Sequence, residues 1–379
     1  MLEDAAGGVQ ADHAGRFGLV IGVDRSEQQR ALADAAPDRP DRRHRRMLRQ
    51  DEPAPANAAS DMKGLWVDGR PLLRDDLSLP APRAGEALVR VRLAGVCGTD
   101  LALLRGYAPF RGVLGHEFVG DIAAVAAAPE RVRERVVGEI NIACGRCGAC
   151  LAGRRNHCEQ REVLGIRGRD GAFAEYLALP LANLHRIPEG MPDEVAVFTE
   201  PLAAALQITR QLHIGPAPRV LVVGAGRLGQ LIARVLWLTG CDLTVVARRD
   251  RQQALLAAAG IRWVAEDSVP AAGFDIVVEA SGAPSGLALA RRAVRPGGTL
   301  VLKSSYAGEV SVDIASLVVD EITVIGSRCG PFPAALRLLA LGLVDPTPLI
   351  EDRFPLSEAE SALRRAAKPG VLKVLIDCR

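Results

Sequence analysis

Apolar and polar positions fall into two regimes along this chain. From about Met62 to Leu206, short strand-like runs are broken at close intervals by glycine and proline. The run AGEALVRVRLA, Ala84 to Ala94, alternates apolar and polar residues as a half-buried strand does. From about Gln207 to Leu341 the period changes. Strand-like runs at Arg219–Val223, Asp242–Ala247, Asp275–Glu279, Gly298–Leu302 and Ile322–Ile325 are separated by helical stretches. Such alternation predicts a parallel sheet covered by helices. The apolar run Leu231–Leu238 carries an arginine and reads as packed helix. Beyond about Gly342, Pro355–Ala366 reads as helix and Val371–Ile376 as a last strand.

The first 61 residues follow neither regime. They are rich in Ala, Arg and Asp, with RRHRR at Arg42–Arg46 and one short apolar run, Phe17–Gly22. Mixed charge with few large apolar residues cannot repay the entropy of ordering, so this leader is expected to be disordered. It lacks the long apolar core of a signal peptide, and Met62 is a plausible true start.

Composition narrows the class. A length of 379 residues, 49% of them hydrophobic, allows two domains with substantial cores. A net charge of +2 gives no reason to expect nucleic acid or an anionic membrane as partner. No apolar run approaches the roughly 20 residues that span a bilayer. These bounds point to a cytoplasmic protein.

The densest chemical signal is CGRCGACLAGRRNHC, which places Cys144, Cys147, Cys150 and Cys158 in one glycine-rich loop. Four soft thiolates at that spacing suit a tetrahedral structural zinc, and a pair of disulfides is the alternative. Further on, GAGRLG supplies Gly224, Gly226, Arg227, Leu228 and Gly229 between a strand and a helix. This is the context of a dinucleotide fingerprint: a tight turn, close backbone approach to the pyrophosphate, and a helix N-terminus facing it. The fold class is therefore α/β, with a Rossmann domain.

GVCGTD at Gly95–Asp100, then Gly115-His116-Glu117, the four-cysteine loop and the fingerprint occur in that order. The chain from about Met62 onward thereby resembles the zinc-dependent medium-chain dehydrogenases of the alcohol dehydrogenase type. The resemblance implies a β-rich, GroES-like catalytic domain over 62–206 and 342–379, around a Rossmann domain over 207–341. It implies two zinc ions per chain and a homodimer or homotetramer. It implies Cys97 and His116 as ligands of a catalytic zinc. The Glu-Pro-Leu segment after Thr199 resembles that of polyol and sugar dehydrogenases, which favours Glu200 as third ligand. Glu117 is the other candidate. Asp100 is expected to fix the tautomer of His116. Thr99 is expected to hand on the substrate proton, although Ala102 stands where many relatives carry a relay histidine.

The reaction so implied is alcohol–carbonyl interconversion on a small molecule, with zinc polarising the substrate oxygen and a nicotinamide exchanging hydride. A polyol or sugar substrate is the alternative within the family. A non-catalytic NADPH-binding protein is the alternative outside it. An acidic residue near the end of the second strand would bind the ribose of NAD. Here VVARRD places Arg248 and Arg249 there, which favours NADP(H), although Asp250 follows directly. Lys373 is expected near the pyrophosphate. Ser304–Gly308 and Ser327–Gly330, with Arg328, follow late strands at the nicotinamide edge. Tyr107 and Phe110 either line the substrate cleft or pack in the core.

Overall fold

The computed structural model describes residues 61–305 and 309–379. Phe17–Gly22, Arg42–Arg46 and the rest of the leader lie outside the described residues, as do positions 306–308. Residues 309–319, with the short helix Ile314–Val319, belong to a separate unit. The remaining described residues form the body that carries every site below.

Six parallel strands make the nucleotide-binding half. Their spatial order is Trp263–Val264, Asp242–Val246, Arg219–Val223, Phe274–Glu279, Val294–Leu302, Thr323–Gly326. Strand order reverses at Arg219–Val223, which puts a crevice at the carboxyl ends of that strand and Phe274–Glu279. Val220 and Val222 are wholly buried on one face, and Leu221 enters a separate core on the other. Burial on both faces is why these strands read as continuous apolar runs.

The β-rich half is a seven-stranded mixed sheet. At its centre, Glu86–Gly95 pairs antiparallel with Glu117–Ala124, Tyr176–Pro180 and Lys373–Asp377. The C-terminal strand thus returns across the whole chain to the first half. Alternation predicts a half-buried strand at Ala84–Ala94, but Glu86–Gly95 is buried nearly throughout. Ala87, Val89, Val91 and Ala94 enter the core of the β-rich half, whereas Leu93 packs into the core shared with the parallel sheet. A separate three-stranded sheet, Asn141–Ile142, Glu162–Leu164 and Gly168–Arg169, frames the four-cysteine loop. No helix among the described residues is long and apolar enough to cross a membrane.

Candidate active site

Cys97 caps the short helix Gly98–Leu104, directly after the central strand. The Asp100 carboxylate accepts the Cys97 backbone N–H at 2.8 Å, satisfying a donor that the helix start would otherwise orphan. The other Asp100 oxygen lies 3.1 Å from His116 Nδ1, and neither atom has another hydrogen-bond partner among the described residues. That arrangement leaves Nε2 of His116 for a metal. Gly115, at φ +96°, turns His116 inward; a Cβ there would sit 2.5 Å from the buried Phe173 ring. Burial works against charge on His116, but the Asp100 carboxylate and Cys97 outweigh it and hold its pKa well above the ordinary value.

Ligating atoms of Cys97, His116 and Glu117 lie within 4.8 Å of one another. Glu200 is not part of that group. It opens the helix Thr199–Gln211, where burial pushes its carboxyl up to about 7 against the opposing field of His116. The donor set thus gathered contains Glu117 in place of the favoured Glu200. Glu117 is also paired with Lys373 over the bare Cα of Gly95, where a Cβ would meet the carboxylate at 2.4 Å. Lys373 is 3% exposed and stacks 5.3 Å from the Phe198 ring. This corrects its expected place by the pyrophosphate: the strand Lys373–Asp377 turns it toward the metal cluster, whereas Lys368, five residues earlier, lines the cleft. Thr99 Oγ1 is 3.8 Å from Cys97 Sγ. Tyr107 is exposed, and Phe110 packs against the core of the β-rich half.

The four thiols of Cys144, Cys147, Cys150 and Cys158 also lie within 4.8 Å of one another, and every cysteine is free. Tetrahedral zinc with bonds of about 2.3 Å requires sulfurs about 3.8 Å apart; Cys147 and Cys158 are 3.9 Å apart. Backbone N–H groups of Glu159 and Cys150 lower the Cys147 thiol to about 6, which supplies the thiolate a metal needs.

A cleft runs along the fingerprint. Gly224, Ala225, Gly226 and Arg227 line it, together with Arg248, Arg249, Ser281, Arg105 and Lys368. Gly224 requires φ +105°, and a Cβ on Gly229 would lie 1.9 Å from the Gly224 carbonyl. Leu228 packs toward the core instead of lining the cleft. Arg227 donates to the Ala366 carbonyl, and its buried Nε has no partner among the described residues. Among the described residues no carboxylate lines the cleft; Asp250 begins the next helix and is absent from its wall. Arg248 pairs with Glu266 at the rim. The cleft also reaches Gly98 and Leu101, next to Cys97.

The sequence reading passed over Arg105, Lys368 and Ser281, because nothing local marks a residue brought to a cleft from another element. It passed over Lys303 as well. Its Nζ donates to the Ala204 carbonyl at 2.7 Å and the Ser327 hydroxyl at 3.3 Å.

Residues 83–189 match the alcohol dehydrogenase GroES-like domain, and residues 228–341 match the zinc-binding dehydrogenase domain. The L-galactonate-5-dehydrogenase of Escherichia coli K12 is 31% identical over 76% of this chain and 89% of its own. The chain belongs to the zinc-dependent medium-chain dehydrogenase/reductase family. It is accordingly an oxidoreductase fold with a GroES-like and a Rossmann-type half. A protein described as a zinc-binding dehydrogenase of Sinorhizobium meliloti 1021, with NADP bound, superposes at a TM-score of 0.77, with 30% identity over 84% of this chain and 99% of that one. The rspB alcohol dehydrogenase of E. coli CFT073, with NADH bound, gives a TM-score of 0.77 and 29% identity over the same shares.

Proposed function

We propose that the protein is a zinc-dependent, NADP(H)-preferring dehydrogenase that interconverts an alcohol and a carbonyl on a small molecule. The observation that carries this reading is the continuity of the nucleotide cleft with the loop holding Cys97. A nicotinamide at that end would face the Cys97, His116 and Glu117 donors.

Those three residues, with Glu200 on the neighbouring helix as an alternative carboxylate, would hold one zinc; the four-cysteine loop would hold a second. A catalytic zinc polarises the substrate oxygen and lowers the pKa of the alcohol. Asp100 keeps the His116 ring oriented, and the Thr99 hydroxyl takes the proton outward toward solvent, since Ala102 offers no relay. Arg227, with its unpartnered Nε, binds the pyrophosphate. Arg248 and Arg249, in a cleft wall that has no carboxylate among the described residues, bind the ribose 2′-phosphate. The family's dimer or tetramer is the expected assembly.

The test is zinc content and turnover together. Protein purified without added metal should carry two zinc ions and oxidise members of a secondary-alcohol and polyol panel faster with NADP+ than with NAD+. Tight NADPH binding without turnover in either direction would return the protein to the binding-only alternative. Arg248→Asp should swing the ratio of NADP to NAD affinities toward NAD by about 10- to 100-fold, the range for hydrogen bonds to a charged group. An unchanged ratio in fluorescence titrations would refute the role of Arg248.

A further inference from the structure

Two guanidiniums outside the metal and cofactor sites share a single acceptor. Arg161 follows the four-cysteine loop, and Arg328 follows the sixth parallel strand. Both donate to the Asn156 carbonyl, Arg161 through Nη1 at 2.7 Å. Nε of Arg161 is buried with no hydrogen-bond partner among the described residues. Neither arginine pairs with a carboxylate among the described residues; Arg161 is partly buried and lies in the repulsive field of Arg328 and Arg167. Like charges held on one neutral oxygen repel, and an anion between them reverses the sign of the interaction.

Lys303 adds a third cation. Two of its donors go to Ala204 and to Ser327, the residue before Arg328. Cys329, at φ +47°, bends the loop so that its Sγ lies 3.8 Å from Arg328 Nη1 and 3.2 Å from Asn141 Nδ2. Gly330 presses on the helix Thr199–Gln211, which carries Glu200; a Cβ there would lie 1.8 Å from the Ala203 carbonyl. Lys303 and Arg328 therefore follow the carboxyl ends of two neighbouring parallel strands, Lys303 in the field of Glu200, and Arg161 of the four-cysteine lobe meets Arg328 at the Asn156 carbonyl.

We infer that Arg161, Arg328 and Lys303 form an oxyanion subsite that holds a carboxylate or phosphate on the substrate. The substrate class is then an anionic polyol or hydroxy acid rather than a neutral alcohol. The inference rests on the dehydrogenase reading above.

The zinc-loaded protein, saturated with NADP+, is titrated calorimetrically with gluconate, galactonate, 3-hydroxybutyrate and sorbitol 6-phosphate. Each is paired with its neutral counterpart: sorbitol, galactitol, 1,3-butanediol and sorbitol again. At least one anion should bind about 10- to 100-fold tighter than its counterpart, as hydrogen bonds between charged groups allow. Arg328→Gln, and more completely the R161Q/R328Q pair, should bring that ratio close to one. Arg154→Gln, the same charge change on the same lobe, should keep it. Preference in the aldonate pairs identifies a carboxylate, and preference in the phosphate pair alone identifies a phosphate. No preference in any pair, or a preference that survives R161Q/R328Q or falls equally in R154Q, overturns the subsite. If the wild type binds no NADPH, the dehydrogenase reading fails on its own account; the same titrations on zinc-loaded protein without nucleotide then decide the subsite separately.

Discussion

The two donor clusters are built in opposite ways. Cys144, Cys147, Cys150 and Cys158 come from one loop, and only Cys158 is fully buried. Cys97, His116 and Glu117 come from a strand end, a glycine turn and the start of a second strand, and His116 and Glu117 are buried. Four thiolates complete a tetrahedron and leave nothing free. A thiolate, an imidazole and a carboxylate already paired with Lys373 would leave a position open on a tetrahedral metal. Closure suits a metal that holds a lobe, and openness suits one that works on a substrate. The buried centre also needs supporting groups, Asp100 behind His116 and Lys373 behind Glu117, because uncompensated charge is costly away from water.

The largest effect that would break this contrast is on activity. Cys97→Ala should cost about a thousandfold or more in turnover, matching the several kcal/mol a Lewis acid supplies, and remove one zinc of two. Retention of full activity would mean the buried centre is not the working one. Cys150→Ser should do the reverse, removing the other zinc and lowering the melting temperature by roughly 10 °C while the Cys97 metal stays; elemental analysis beside thermal unfolding would read both. Glu117→Gln against Glu200→Gln sharpens the buried centre. The true ligand should weaken zinc affinity by about 10- to 100-fold, and the other should cost less; competition with a chelator would rank them. The smallest effect concerns pH. Burial lowers Lys303 from 10.5 to about 8, so the unfolded chain binds the extra proton between those values and stability rises with pH across that window. Unfolding free energy of the wild type relative to Lys303→Met should therefore rise between pH 8 and 10.5 by about 1–3 kcal/mol. Because Lys303 lies in the field of Glu200, Cys150→Ser should leave this slope intact.

Legibility in the chain differed between features for physical reasons. Four of the five expected parallel strands begin and end within one residue of those observed; the other, Gly298–Leu302, is the second part of the longer Val294–Leu302. Their double-sided burial writes an unbroken apolar signal into the sequence. The fingerprint was legible because tight turns and close packing admit only glycine at Gly224 and Gly229. Of the two lysines in KPGVLK, the turn at Pro369–Gly370 and the pleat of the final strand bring Lys368 to the cleft wall and Lys373 to Glu117, which the local sequence does not show.

What the sequence alone determined is the inventory: the cysteine loop, the order of motifs, the Rossmann period and an arginine pair where an acid would bind NAD. Each is a local property, written in spacing and residue type. Tertiary structure alone decided that Glu117 lies beside Cys97 and His116, which lysine lines the nucleotide cleft, and that Arg161 meets Arg328 at one carbonyl across more than 150 residues of chain. Those are long-range juxtapositions set by sheet pairing and burial, and no local pattern encodes them.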